Sequence, residues 1–581
     1  MSYKILTIDL TSGASAPEEL DLPGIHGLGG KALAVELLAR HLDPGVDPLA
    51  PTNVLVFTPS PLAAYGFSGS DRFGAFTKSP MTEAFLESYS GGSMARTLRE
   101  TGWDAVLVTG AAAGPVRLHI DAGGATLHSA ADLWGKDVFQ TEDALAAVLA
   151  KRSSTMIIGP AGEHLTTCAS VQVEGDHALG RGGMGAVFGS KRLKAVTVTS
   201  AGPVRAKGSE AFDAVRKAVS GLATDSPTAG AYRRFGTPMM VAVLNEAGSF
   251  PTDYWSTGRA PHRAALEAEN YPTWAKVETG TCPPCPVRCR RHLTVLEGPN
   301  AGREIHGPEY ETLYSFGGLC QVQTAEEVVL LHEQCNRLGM DTMSAGNVVA
   351  LAIKAGQNGT IATAPAAGDA QAISRLLTEM SERSTELADI LARGIRGAAA
   401  ALGMEDQAIH VKGMEPAGYD PRALLGMGLA YATSPRGACH LRATFYKPIL
   451  SGMTKDLDDA ALAALFIDYE DRLFLYDCLV MCRFYRDWMT WDDLAVVVGE
   501  LGGSPIPVED LKTLANDLLT RVRRLNFGMG LSSADDWLPQ RFLTEPLDGR
   551  PPVDAGKLRR ELAEYYTARG WGAQGIPPAA A

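Results

Sequence analysis

Through the first ~200 residues, short apolar and β-branched runs alternate with clusters of Gly, Pro, Asp and Ser. YKILTIDL, NVLVFTP, DAVLVTG, STMIIGP and KAVTVTS are the clearest runs, and each reads as a strand. From Glu210 onward the pattern changes. Ala, Leu, Glu and Arg recur at helical spacing in EEVVLLHEQCNRLG, AQAISRLLTEMSERSTELADILARGIRGAAAALG and PVEDLKTLANDLLTRVRRLN. The pattern predicts an α+β chain, sheet-rich in its first third and mainly helical after it. Gly- and Pro-rich stretches at 279–308 and 412–442 interrupt the helical part, and the tail after Gln574 is expected to fray. No segment repeats at a fixed period.

Length and composition narrow the picture. At 581 residues the chain is several folding units long, and with 45% hydrophobic and 20% charged residues it has the usage of a compact protein. Its 53 Lys and Arg against 66 Asp and Glu give a net charge of −13, which provides no basic field for nucleic acid. No stretch approaches the ~18 to 20 apolar residues of a membrane span, and the start, MSYKILTIDLTSG, lacks a charged region followed by an apolar run. The expected address is the cytoplasm, with no membrane partner.

Nine cysteines, at 168, 282, 285, 289, 320, 335, 439, 478 and 482, then become informative. In a reducing compartment, closely spaced cysteines hold metal more often than they form disulfides. Cys282, Cys285 and Cys289 follow a C-x2-C-x3-C spacing in TGTCPPCPVRCRRH, whose prolines and lack of periodicity place it on a loop. Three thiolates at such separations suit a cubane iron–sulfur cluster closed by a distant fourth. A structural zinc site is the competing reading, but zinc usually shows paired C-x2-C units and no second pair exists. DCLVMC offers Cys478 and Cys482 as the fourth ligand, and periodicity does not choose between them. Cys168, Cys335 and Cys439 read as small buried hydrophobes.

Several polar groups stand out beside this loop. HGPEYETL places His306, Glu309 and Glu311 just past it; buried carboxylates there can act as acid or base, whereas a water-facing acid at a helix start is the plainer reading. Arg436, His440 and Arg442 lie among small residues, where a lone histidine is more often structural than catalytic. Asp341 and Asp477 sit in apolar surroundings and need partners. Gly-rich turns near Arg72, Lys78, Arg181 and Lys191 suggest phosphate binding. Gly180, Gly182 and Gly185 imitate a nucleotide fingerprint but lack its βαβ context, so a dinucleotide site is rejected.

In order along the chain, a set of segments resembles the tungsten-containing aldehyde ferredoxin oxidoreductases over essentially the whole length. They are GSDRFGAFTKSP, SGG followed by TLRETGWDAVLV, GRGGMGAVFGSKRLKAV, the C-x2-C-x3-C loop, GPEYET, CNRLGMDTMSAG, VKGMEPAGYDPRALLGMGLAYATSPRGACHL and the D-x4-C of DCLVMC. The resemblance implies a sheet-built N-terminal domain (1–208) as a base for a bis-pterin cofactor. Two mainly helical domains would close over it, 209–415 with the cysteine loop and 416–581 with the fourth cysteine. It implies Cys482 as the fourth ligand of a 4Fe-4S cluster, Asp341 and Asp477 each contacting one pterin, and Arg72 near a magnesium that bridges the pterin phosphates. Ser90, Gly91 and Gly92, and Arg181, Gly182 and Gly183, match backbone phosphate contacts. Either Glu309 or Glu311, with His440, matches residues close to the metal.

The implied activity is oxidation of an aldehyde to a carboxylic acid, with electrons passing to ferredoxin or a similar carrier. Tungsten and molybdenum stay open, since the dithiolene sulfurs rather than protein ligands hold the metal. Reduction of an aromatic acyl-thioester, or oxidation of an aldehyde sugar phosphate, is an alternative on the same scaffold; a zinc-binding structural protein is a second. One departure matters: some members join two subunits through an iron held by E-x-x-H, and EEVVLLHEQCNRLG has no Glu three residues before His332. A homodimer would therefore form without a bridging iron.

Overall fold

The computed structural model describes residues 2–282 and 285–579. The apolar runs of the first third pair into two six-stranded sheets. In the first, β1 (Ser2–Asp9), β2 (Ala14–Asp21), β3 (Leu55–Pro59), β4 (Phe73–Lys78), β5 (Phe85–Ser90) and β6 (Ala105–Thr109) take the order β2-β1-β6-β3-β4-β5. Only the β1/β6 pair is parallel. In the second, β7 (Val116–Asp121), β8 (Gly124–Ser129), β9 (Ser153–Ile157), β10 (Val171–Val173), β11 (His177–Leu179) and β12 (Leu193–Thr199) take the order β11-β10-β9-β12-β7-β8. The predicted strands are all present.

The unbroken apolar character of the runs has a packing reason. Strand side chains alternate between faces. Leu6, Leu55, Phe57, Val106 and Val108 meet Leu118, Val171, Val196 and Val198 in a core between the two sheets. Ile5, Val56, Phe76, Phe85, Ala105 and Leu107 turn the other way and join the core of the helical part. The first sheet is thus covered on both faces, which calls for continuous apolar runs.

The helical remainder follows its predicted pattern, with one difference. The long stretch beginning AQAISRL divides into helices Ala370–Glu382, Glu386–Ala392 and Gly394–Leu402. Arg383 (φ 54°) ends the first in the left-handed conformation, and Gly394 (φ 76°) does the same at the last boundary. The tail is held rather than frayed, because Arg523 donates to the Gly575 carbonyl and Arg524 to that of Pro578, each at 2.7 Å. A small antiparallel sheet, β13 (Ala275–Gly280), β14 (Arg290–Val295) and β15 (Glu304–His306), carries the cysteine loop between its first two strands. Among the described residues no helix is long and apolar enough to cross a membrane.

Helix Gly30–His41 joins the sheet to the helical part. Its first residue, Gly30, has φ 50°, and a Cβ there would lie 2.5 Å from the Asp477 carbonyl and 2.6 Å from that of Cys478. The bare glycine lets this helix abut the end of helix Asp459–Leu479, which carries Asp477. Gly30→Ala is expected to destabilise the fold by about 2–4 kcal/mol, combining left-handed strain with overpacking. Gly114→Ala, where an added Cβ meets nothing within 4 Å, should leave the thermal unfolding midpoint unchanged.

Candidate functional site

A cavity of about 470 Å³ opens where the ends of β5 and β11 meet the cysteine loop and the helical part. All sixteen predicted site residues except Gly92, Gly182 and Gly183 line it. Those three glycines sit in the adjoining turns with φ 97°, 91° and 82°, a conformation that favours glycine. Side chains also crowd them: a Cβ on Gly182 would lie 2.2 Å from Leu86 Cδ1.

Two arginine–carboxylate clusters border the cavity. In one, Asp341 caps helix Thr342–Gln357, accepting from the Met343 and Ser344 amides at 3.3 and 3.0 Å. Arg181 Nε donates to Asp341 at 3.3 Å, while its Nη2 reaches Glu415 Oε2 at 2.8 Å. Burial pushes the Glu415 carboxyl up, against the pull of Arg181. In the other, Arg442 Nη1 bridges Asp477 (2.6 Å) and Glu87 (2.8 Å). Arg483 donates to Asp477 at 2.5 Å, and Lys31 to Glu87 at 3.0 Å. Although burial opposes it, Arg442, Lys31 and Arg436 hold the Glu87 carboxyl below its usual range. Four cations face two carboxylates in this cluster, which therefore favours an anionic ligand more than the first.

Glu87, Lys31 and Glu415 escaped the sequence reading. The available signals were a carboxylate within the strand FLESYS and a lysine within the apolar helix GGKALAVELL. Conversely, Lys78 and Lys191 belong to no phosphate site. Lys78 Nζ donates to the Pro44 carbonyl at 2.6 Å, and Lys191 Nζ to those of Pro51, Asn53 and Gly110, so both brace buried loops. Arg72, from the same reading, does line the cavity and donates to the Tyr89 carbonyl at 3.2 Å.

Cys282, Cys285, Cys289 and Cys482 line one end of the cavity; Cys478 does not, being fully buried against helix Gly30–His41. Burial raises the thiols of Cys285 (to about 11), Cys289 and Cys482, and neighbouring thiols of the set add to it. Cys282 moves down instead: burial opposes, but the His177 imidazole at 3.2 Å prevails. Cys439, read as a plain buried residue, also lines the cavity, with Arg436 Nη2 at 3.1 Å from its sulfur. Against burial, Arg436 and Arg442 bring its thiol down to about 7.

The two glutamates separate. Glu309 accepts from the Thr237 hydroxyl beside the cysteines. Glu311 lies within the short helix Tyr310–Thr312, which continues as a π-helix over Leu313–Leu319. Its Oε2 accepts from the Gly418 amide at 3.1 Å, and its Oε1 lies 3.3 Å from His440 Nε2. Tyr419 stacks on His440 at 5.0 Å and on Tyr446 at 4.2 Å, fixing the imidazole plane. Burial pushes Glu311 up to about 8, and burial with Arg436, Arg181 and Arg442 pushes His440 well below its usual value. At neutral pH the two meet as an uncharged acid and an uncharged imidazole, not as an ion pair.

The same chain matches known proteins along its whole length. The family model "Aldehyde ferredoxin oxidoreductase, N-terminal domain" covers residues 5–200, and "Aldehyde ferredoxin oxidoreductase, domains 2 & 3" covers 213–581. The tungsten-containing aldehyde ferredoxin oxidoreductases of Thermococcus kodakarensis and Pyrococcus furiosus are each 31% identical over 591 residues, 99% of this chain and 97% of theirs. The WOR-like subunit of an aliphatic sulfonate oxidoreductase of Pyrococcus furiosus is 25% identical over 623 residues, 99% of this chain and 95% of its own. The active-site complex BamBC of benzoyl coenzyme A reductase, solved with 1,5-dienoyl-CoA, shares the fold with a TM-score of 0.83. It is 22% identical and covers 99% of this chain and 96% of that one. Sequence and fold together place the chain in the aldehyde ferredoxin oxidoreductase family, a family of oxidoreductases.

Proposed function

We propose that the protein oxidises an aldehyde to a carboxylic acid at a tungsten bis-pterin, passing electrons through a 4Fe-4S cluster to ferredoxin or a similar carrier. The observation that carries this reading is the Glu311–His440 pair, set in the wall of the cavity that four cysteines close at one end. The residues present fit such a group. Glu311 Oε1, Arg436 Nε and Arg442 Nε belong to residues lining the cavity and are buried without hydrogen-bond partners, a cost of roughly 1–3 kcal/mol each that a polar ligand would relieve.

In this reading Asp341 and Asp477 each receive one pterin. Arg72 and the turns at Ser90, Gly91, Gly92, Arg181, Gly182 and Gly183 receive the phosphates and a magnesium bridging them. Cys282, Cys285, Cys289 and Cys482 hold the cluster. The C-x2-C-x3-C spacing, with Cys482 lining the same cavity and no second C-x2-C pair in the chain, supports an iron–sulfur cluster over a structural zinc.

The metal–pterin group, when bound, supplies the two-electron oxidation itself. The chain supplies the proton chemistry. Aldehyde plus water yields acid, two electrons and two protons. Glu311, in its ionised form, accepts a proton as the new carbon–oxygen bond forms, and neutral His440 orients the substrate oxygen by a hydrogen bond. Tyr419 and Tyr446 pack against His440, and Tyr310 packs against Tyr419.

A competing reading, reduction of an acyl-thioester, draws on the fold shared with the benzoyl coenzyme A reductase complex. The higher identity to the aldehyde enzymes favours aldehyde oxidation. Anaerobically purified protein assayed with aldehydes and a viologen dye, and separately with an acyl-CoA, decides between them. Elemental analysis should find about four irons and one tungsten per chain. Zinc alone would overturn the reading. Cys482→Ala should lose the broad iron–sulfur absorbance, and Cys478→Ala should keep it.

Glu311→Gln should lower kcat by about 10²–10⁴-fold, the usual contribution of a general base, with cofactor retained. In the wild type, kcat/KM should rise with pH through about 8 as Glu311 ionises and level off above. A pH profile of the Gln variant that kept this limb would assign it to another group.

A further inference from the structure

Beside the cluster loop lies a group that the mechanism above does not use. His177 opens β11, the edge strand of the second sheet, and its Nε2 lies 3.2 Å from Cys282 Sγ. Its Nδ1 meets Asp176 Oδ1 at 2.5 Å. Arg290, the first residue of β14 and next to Cys289, closes the group by reaching Asp176 Oδ2 at 2.5 Å and the Asp176 carbonyl at 3.1 Å. Arg290 Nη1 also approaches His177 Nε2, at 3.5 Å, the limit of a hydrogen bond and longer than the contact to sulfur. The second and third sheets are therefore tied together across the loop. The imidazole is held at both ends.

Gly91 makes room for the pair. A Cβ there would lie 2.9 Å from Cys282 Sγ and 2.9 Å from His177 Cδ2. Among the described residues, Cys282 is the only member of the four whose sulfur meets an imidazole; Cys285 meets the Tyr485 hydroxyl at 3.1 Å instead. The Nε2–Sγ separation is that of an N–H···S hydrogen bond, in which the nitrogen donates and the sulfur accepts. A cluster gains negative charge when reduced, so an N–H donor at one sulfur favours the reduced state.

We propose that His177, held by Asp176 and Arg290, is a positioning residue that raises the reduction potential of the cluster by donating a hydrogen bond to Cys282 Sγ. The proposal rests on the cluster assignment given under the proposed function and says which edge of that cluster is tuned. It acts through a cysteine and touches no substrate.

The test is a reductive titration of the holoenzyme followed by electron paramagnetic resonance, with iron content measured alongside. The variants are His177→Ala and His177→Gln. Both should keep the iron and shift the midpoint to lower potential. His177→Gln, which retains an N–H donor, should shift less than His177→Ala. An unchanged midpoint in His177→Ala with the cluster intact would overturn the proposal. So would loss of iron from both His177→Ala and His177→Gln, since the residue would then build the site rather than tune it. A wild-type chain without iron is a separate result, overturning the proposed function and this inference with it.

Discussion

Arg442 is the contact on which the cavity depends. One guanidinium nitrogen joins Glu87 of the sheet to Asp477 of the helical part, both carboxylates being almost wholly buried. Removing one partner from a buried charge cluster typically costs about 3–5 kcal/mol, because the others are left uncompensated out of water. Lys31, Arg483 and Arg436 add charge to the same cluster, so its arrangement is set from the N-terminal helix, the sheet edge and two segments of the helical part together. A polar space between two packed halves would otherwise tend to close. Here the walls are charged, and the charges are tied to the cores behind them.

This constraint explains which parts of the molecule could be read from sequence. In the first sheet β1, β3 and β6 were legible because both faces are covered and their residues run largely apolar. β2 and β8, largely exposed and rich in polar residues, leave no such signature. The cysteine loop was legible because its three thiols are neighbours in sequence. Cys482 was distinguishable from Cys478 only through family resemblance, since the difference is which way each faces at the end of one helix.

The missed residues share one cause. Glu87 finds its partners at Lys31 and Arg442, and Glu415 its partner at Arg181, so each contact spans a long stretch of chain and has no local pattern. Lys78 and Lys191 misled in the opposite sense. Their Gly-rich surroundings match a phosphate loop, yet the ammonium groups end on carbonyls of the chain itself. Glu309 and Glu311, two residues apart, diverge because the chain turns from extended to helical between them, sending one toward the cysteines and the other toward His440.

The end of helix Asp459–Leu479 carries both Asp477 and, after a turn at Val480 (φ 51°), Cys482. The Met481 amide bonds back to the Tyr476 carbonyl at 2.8 Å, and the Cys482 amide to that of Gly69 at 2.8 Å. The carboxylate and the thiol are thus parts of one short, doubly anchored corner. Thermal breathing that widens the gap between sheet and helices would carry the two along together. Their mutual spacing is a property of a single turn, insulated from the slower motions of the larger body.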